Sequence, residues 1–253
     1  MTHEDLLELA FTLAARAGET ILAVRKRGFE TMHKADESLV TAADHEAEAV
    51  IVTALRAAVP EIAIVAEEEM AAGRIPEQAS RFWLVDPLDG TREFAAGRDD
   101  FAVCIGLVED GVPVLGVVAG PAHGEAFGAI KGRGAIKRDA HGERPIHVRA
   151  CPDAGLSVIA SRSFGKHPRM AEYLAERRVA EILNTGSALK FCRIAEGVAD
   201  LYPRFGRTME WDTAAAQIIL EEAGGSVRNI DTGESLRYGK PGYDNPHFVA
   251  AAT

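Results

Sequence analysis

Leu6, Leu7, Ala10, Leu13, Ala14, Ala17, Ile21 and Val24 recur every three or four residues, so the chain opens with an amphipathic helix that stops near Gly28. A second helix is predicted after Thr41, with Ala47, Val50, Ile51, Ala54 and Leu55 as its apolar stripe and Pro60 beyond its end. The pattern then changes period. Ile62 to Val65 and Phe82 to Val85 are short apolar runs suited to buried strands. Phe101 to Val108 and Val112 to Val118 are two more, joined at Glu109-Asp110-Gly111, whose Asp-Gly step predicts a hairpin. The first half reads as helices packed on an antiparallel sheet, an α+β arrangement.

Arg138 to Glu143 is polar, and with Pro145 and Pro152 it marks the expected boundary between a domain of residues 1–150 and one of residues 151–253. Beyond it, a strand at Ser157 to Ala160, a helix around Met170 to Arg177, a strand near Ile182 and a helix from Ser187 to Glu196 alternate, so the second half reads as α/β. A further helical stretch runs from Glu210 to Glu222. The alternation also fits a doubly wound nucleotide-binding fold, but the glycines of Gly128 to Gly134 have the wrong spacing for its phosphate-binding turn, and no Walker A loop occurs.

The strand-like runs end in acids. Trp83 to Thr91 places Asp86, Asp89 and the Thr91 hydroxyl in a predicted tight turn behind its strand, where Pro87 fixes φ and Gly90 lets the backbone approach a ligand closely. Ile62 to Val65 leads into Ala66-Glu67-Glu68-Glu69, and Asp212 stands near a helix start. Each alone has an ordinary explanation as an Asp-rich turn, a solvated charge run or a helix cap. If Glu67, Asp86, Asp89 and Asp212 share one pocket, the balance changes. Two like charges about 4 Å apart repel by roughly 4 kcal/mol at an effective dielectric near 20, so such a cluster requires cations. All-oxygen ligands select magnesium, manganese or calcium over zinc or copper. Leu88 stands where an EF-hand loop needs an acid or amide, whereas magnesium, bound through a few carboxylates and a substrate phosphate, points to phosphate chemistry.

A net charge of −10 argues against a nucleic-acid polymer or an anionic membrane as partner, while bound metal and local cations still admit a small anionic substrate. Met1 to Asp5 is acidic and leads into an amphipathic pattern with interspersed Arg16, Arg25, Lys26 and Arg27, so neither a signal peptide nor a membrane span is read there and the cytoplasm is the expected location. Cys104, Cys151 and Cys192 lack any C-x-x-C spacing and read as free thiols.

Several of these segments resemble the signatures of the inositol monophosphatase superfamily of lithium-sensitive, magnesium-dependent phosphatases. They are Asp86-Pro87-Leu88-Asp89-Gly90-Thr91, Trp211-Asp212-Thr213-Ala214-Ala215 with Ala223-Gly224-Gly225, Glu67-Glu68 after a strand, and Thr41-Ala42-Ala43-Asp44. Within it, Gly186 to Cys192 and Ala199 to Gly206 most resemble the 3′(2′),5′-bisphosphate nucleotidases, which act on adenosine 3′,5′-bisphosphate. The resemblance implies an αβαβα sandwich with the site between its halves, often in a homodimer. It implies that Glu67, Asp86, the Leu88 carbonyl, Asp89 and Asp212 hold two or three magnesium ions. It also implies that Thr91 and Glu67 activate a water, with Thr41 and Asp44 beside it, and that the Gly90 and Thr91 amides receive the phosphate. Ser187, Lys190, Arg204 and Asp212 would contact the rest of a small phosphate ester.

Some positions keep two readings. Thr41-x-x-Asp44 before an apolar helix is nearly a capping box. Lys190 is either a contact for a second phosphate or a surface residue of its helix. Tyr202 is read as core, His45 as an exposed helix residue, and Glu68 and Glu69 as pointing away from any metal, because consecutive residues leaving a strand diverge. Arg92 follows the Asp-Gly-Thr step where the nucleotidases commonly have lysine, and Gly97 to Phe101 carries an extra acid. Inositol, histidinol and fructose phosphatases are the rival activities; a non-catalytic phosphate-binding module would not need Thr91 and Glu67 beside a metal.

Overall fold

The computed structural model describes residues 1–33, 39–77, 79–161 and 168–252. The first helix, α1 (His3–Arg27), is capped by a Thr2–Asp5 box and ends at Gly28. A small antiparallel pair, β1 (Thr31–His33) and β2 (Leu39–Thr41), leads into α2 (Ala42–Ala58). The stripe of α2 is rotated from the expected one: Ala43, Asp44, Ala47, Glu48, Ile51, Val52 and Leu55 are buried, so two acids lie on its inner face.

β3 (Ala63–Ala66) passes directly into a short helix, α3 (Glu67–Ala71), where the sequence suggests a charged loop. β4 (Arg81–Asp89) runs on through both aspartates; the predicted tight turn is instead an irregularity within the strand, where the register against β5 (Ala102–Glu109) shifts between Asp86 and Asp89. Pro87 has no amide to give the ladder, which suits it to such a break. After β4 come α4 (Thr91–Ala95), β5, β6 (Val112–Gly120), β7 (Glu125–Ile130), β8 (Ala135–Asp139) and β9 (Gly142–Ile146). The β5–β6 turn has Asp110 and Gly111 at φ of 49° and 74°, the left-handed pair that an Asp-Gly hairpin requires.

Among the described residues β3 to β9 form one seven-stranded sheet in sequential order, parallel at β3–β4 and antiparallel elsewhere. Both faces are covered. Trp83, Val85, Val103 and Ile105 meet α1 and α2, while Phe82, Leu84, Ala102 and Cys104 face the other core, the alternation a pleated strand imposes. The polar run at Arg138 to Glu143 spans the β8–β9 hairpin turn inside this sheet, which ends at Ile146.

The second sheet has the order β11-β10-β12-β14-β13, built from β10 (Leu156–Ala160), β11 (Val179–Asn184), β12 (Leu201–Arg204), β13 (Ser226–Asn229) and β14 (Phe248–Ala251). α5 (Pro168–Leu174) rests on Phe205 and His247 through Tyr173 and Arg169. α6 (Leu189–Ala195) and α7 (Ala214–Glu222) fill the layer between the sheets. The order helix, sheet, helix, sheet, helix is the αβαβα sandwich. A helix near Glu210 is present, but in two pieces: a 3₁₀ turn at Glu210–Asp212 and then α7.

α7 sits unusually close to the larger sheet. Gly106 and Gly116 pair across β5 and β6, and a Cβ on Gly116 would stand 2.5 Å from the Ala215 carbonyl oxygen. Only glycine opposite the alanine run of α7 permits this approach. The consequence is positional: Asp212, just before α7, is carried to the end of β4 and β5.

Candidate active site

A cleft of about 740 Å³ opens where α3, the end of β4 and the start of α4 meet the loop before α6, the end of β12 and the Glu210–Asp212 turn. Glu67, Asp86, Leu88, Asp89, Gly90 and Thr91 line it from the first half of the chain, and Ser187, Lys190, Arg204 and Asp212 from the second. Each of these was a candidate from sequence. Glu68 and Glu69 turn away as expected: the Glu69 carboxylate pairs with Arg56 at 2.7 Å and Arg74 at 3.6 Å, and Glu68 lies 3.8 Å from His45.

The acids act on one another electrostatically. Burial pushes Asp86 well above the usual carboxylate range, and Glu67, Asp89 and Asp212 push it further. Asp212 is raised by burial and then by Asp89 and Glu67. Asp89 is raised to about 6 by burial, against the pull of Lys190 and of the Ala188 amide that donates to its Oδ2. Asp89 and Asp212 keep an edge open to the cleft while Asp86 is almost fully covered. Such a set of oxygens, mutually repelling even with Lys190 acting on Asp89 and Arg204 on Asp212, suits a hard divalent ion. As placed, no three acid, histidine or cysteine side chains among the described residues converge into a finished ligand set. Like-charge repulsion opposes tighter gathering until a cation offsets it.

Thr41 and Asp44 lie behind the cleft wall, where they form the capping box of α2 and Asp44 also reaches Thr91. Thr41 caps α2 by accepting the Ala43 amide, and Asp44 Oδ2 accepts the Thr41 amide and hydroxyl at 2.8 Å each. Asp44 Oδ1 reaches inward to the Thr91 hydroxyl at 3.0 Å. The Thr91 hydroxyl also lies 3.1 Å from the Leu88 carbonyl, so its single proton is shared between two acceptors. Burial raises Asp44, and its bonds to Thr41 and Thr91 restrain the rise.

Gly90 precedes α4 at φ 96°, and a Cβ there would meet the Asp100 carbonyl at 2.9 Å and Ser187 at 3.3 Å. The position admits glycine on both grounds. Ser187 itself takes φ 54°, and its hydroxyl accepts the Leu189 amide at the start of α6, which begins two residues later than expected.

Lys190 is not a surface lysine. It is 4% exposed, its ammonium donates to the Ser187 carbonyl, stands 5.1 Å from the Tyr202 ring centre, and draws Asp89 downward electrostatically. Tyr202 is core, packed edge-on to Phe191 and Phe248. Arg204 is half-buried at the cleft, donates to the Arg207 carbonyl at 3.2 Å and lowers Asp212. Arg92 and Arg207 also line the cleft, whereas neither acid of the Gly97 to Phe101 segment does, Asp99 being held by Arg25 at 2.7 Å.

Three features escaped the sequence. Arg207 follows a strand end without a motif. Trp211 belongs to a motif but shows its place at the cleft only in the fold. Glu48 is a buried acid raised to about 7 by burial and by Glu69 and Glu67; its signal was its spacing of four from Asp44, on the face that the apolar stripe should occupy.

A layered sandwich that delivers Glu67, Asp86, Asp89 and Asp212 from three elements to one cleft defines a class, that of the metal-dependent phosphatases. The chain belongs to the inositol monophosphatase family, whose sequence profile matches residues 2–252. It is 40% identical over 246 residues to the 3′(2′),5′-bisphosphate nucleotidase CysQ of Salmonella typhimurium, covering 96% of this chain and 98% of that one. It is 34% identical over 240 residues to a histidinol-phosphatase of Mycobacterium tuberculosis, covering 91% and 89%. The structure of CysQ from Bacteroides thetaiotaomicron superposes with a TM-score of 0.82 at 33% identity, over 98% of each chain. No helix among the described residues is long and apolar enough to cross a membrane.

Proposed function

We propose that the protein is a magnesium-dependent 3′(2′),5′-bisphosphate nucleotidase that hydrolyses adenosine 3′,5′-bisphosphate to AMP and phosphate. The observation that carries the chemistry is the single cleft lined by Glu67, Asp86, Asp89, Thr91 and Asp212, with Asp44 bonded behind Thr91. The nucleotidase assignment draws on the similarity to CysQ over nearly the whole chain and on the cations in the cleft, Lys190, Arg204, Arg207 and Arg92. The cleft volume, about 740 Å³, suits a nucleotide-sized ligand.

Glu67, Asp86, the Leu88 carbonyl, Asp89 and Asp212 would hold two or three magnesium ions. Bound there, divalent cations supply a water of lowered pKa and stabilise the charge that develops on the leaving oxygen. The chain's own groups do the rest. Thr91 donates its hydroxyl proton to Asp44, which turns a lone pair toward the attacking water, and Glu67 takes up the proton that water loses. The Gly90 and Thr91 amides meet the phosphate oxygens. Water attacks phosphorus as the bond to the 3′ oxygen breaks and that oxygen takes a proton from solvent water to leave as the 3′ hydroxyl, so no covalent phosphoenzyme forms. Arg204, with Arg207 beside it, is assigned to the 5′-phosphate that stays on the product. Lys190, pressed between Ser187 and Tyr202 and acting on Asp89, serves the shared end of the site.

The test is phosphate release, with magnesium, from adenosine 3′,5′-bisphosphate, inositol 1-phosphate, histidinol phosphate and fructose 1,6-bisphosphate. The nucleotide is expected to give the highest kcat/KM. A higher value for any of the others would reassign the substrate while leaving the metal chemistry in place. Activity is expected to fall with lithium, and with calcium, whose longer and looser bonds misplace the water. We also assign the protein to the cytoplasm, and a homodimer to its solution state, on the family resemblance.

A further inference from the structure

α3 begins without a cap of its own. Ala66, the residue before it, offers no side-chain acceptor, although the amides of Glu68 and Glu69 stand where a helix start lacks intrahelical partners. The acceptor comes from α2. Glu48 Oε2 takes the Glu68 amide at 2.6 Å, and the same carboxylate meets the Glu69 amide. Glu48 is 5% exposed, and the acids of Glu67 and Glu69 both work against its charge. Arg56 pairs with Glu69 instead. What Glu48 contributes at this place is reach and acceptor oxygens at the second and third positions of the helix, the two amides a capping side chain ordinarily serves.

Asp44 and Glu48 are four residues apart on one face of α2. Asp44 holds Thr91, and Glu48 holds the first turn of α3, whose leading residue is Glu67. The two residues assigned to the attacking water are therefore indexed by the two buried acids of one helix. We infer that Glu48 is a positioning residue: it fixes the direction in which Glu67 leaves β3 and so completes the cation site. The inference rests on the role given to Glu67 above.

Two substitutions separate reach from charge. Glu48→Gln keeps the chain length and an acceptor oxygen but loses the charge; Glu48→Asp keeps the charge and falls one methylene short. The readout is magnesium binding to the full-length, substrate-free protein by calorimetry, with kcat and KM measured across a magnesium series. Glu48→Asp is expected to bind magnesium about tenfold more weakly and to shift half-activation by the same factor, while Glu48→Gln stays within about threefold of wild type, the scale on which supporting partners tune metal sites. The KM for nucleotide at saturating magnesium should not move. Wild-type magnesium affinity in both variants overturns the inference; so does a weakening in Glu48→Gln as large as or larger than that in Glu48→Asp, because reach would then not be what Glu48 contributes. Should Glu48→Asp not fold, the same titration is run on Glu48→Asp with Ala66→Ser, which places an acceptor at the local cap position. Affinity restored to near wild type supports the inference, and a persistent tenfold deficit in the folded double variant overturns it. A wild-type protein that binds no magnesium overturns both this inference and the role of Glu67.

Discussion

The two walls of the cleft are built differently. The wall from the first half of the chain is mostly a short continuous motif at a strand end, joined by Glu67 from α3, with Asp86, Asp89 and Thr91 spaced by local backbone and braced by Asp44 and Thr41 through bonds of 2.8 to 3.0 Å. The wall from the second half is assembled from three separate places: the loop before α6, the end of β12 and the turn before α7. The first wall has too many negative charges for its own stability, and the second supplies cations held by partners that are themselves parts of the fold. The contrast teaches that Asp86, Asp89 and Thr91 are set by local backbone, while Lys190, Arg204 and Asp212 reach the cleft only through the packing of the two sheets and the layer between them.

The sharpest way to break the contrast is to neutralise the acidic wall. Asp89→Asn and Glu67→Gln are each expected to lower kcat/KM by at least about a hundredfold at saturating magnesium, equivalent to roughly 3 kcal/mol of transition-state stabilisation. The metal-free variants should melt no lower than wild type, since one repelling charge is gone. Turnover near that of wild type would remove these residues from the mechanism.

Lys190→Ala is next in size and probes the other wall where it touches the first. Because Lys190 is buried and acts on Asp89, a loss of about ten- to a hundredfold in kcat/KM is expected on a bisphosphate and a monophosphate alike. A loss confined to the bisphosphate would give Lys190 the role of second-phosphate contact after all. Arg204→Ala should show that selective pattern, with about tenfold more loss on adenosine 3′,5′-bisphosphate than on inositol 1-phosphate. Equal effects on the two esters would count against its assignment to the second phosphate.

How much of this was legible follows the same division. The acids of the first wall could be named before the structure because each follows an apolar strand directly, and strand ends project their residues together. Lys190 could not be placed, since its burial depends on α6 being enclosed between two sheets rather than lying on a surface. Glu48 was hidden by a stripe read one step out of phase, with Val50 and Ala54 counted as core in place of Glu48 and Val52. The polar turn of the β8–β9 hairpin lies inside the first sheet, and the chain passes to the second sheet between Ile146 and Leu156. The pairing of Gly106 with Gly116, which brings Asp212 to the other acids, is a property of two strands and a helix together, and no local pattern reveals it.

Smaller effects on stability sharpen the picture. Gly116→Ala drives a methyl into the backbone of Ala215 and is expected to cost about 1–3 kcal/mol, with a fall in melting temperature of about 2–4 °C for each kcal/mol. An unchanged melt would mean that α7 can move away without loss.

The acids also set a pH dependence. Their folded pKa values lie above those of the unfolded chain, so the folded protein binds protons more tightly; stability is fully present at low pH and is lost as pH rises through the folded values, about 6 for Asp89. Magnesium offsets that loss, so the melting-temperature gain on adding it should be larger at pH 8 than at pH 5.5. Equal gains at the two pH values would argue that the cation binds elsewhere.

The central claim is that the acidic wall works only through a divalent cation. Its most direct test is phosphate release from adenosine 3′,5′-bisphosphate by exhaustively chelated protein, followed through a magnesium titration. No turnover before magnesium and saturable recovery as it is added are predicted; full activity in the chelated protein would contradict the account.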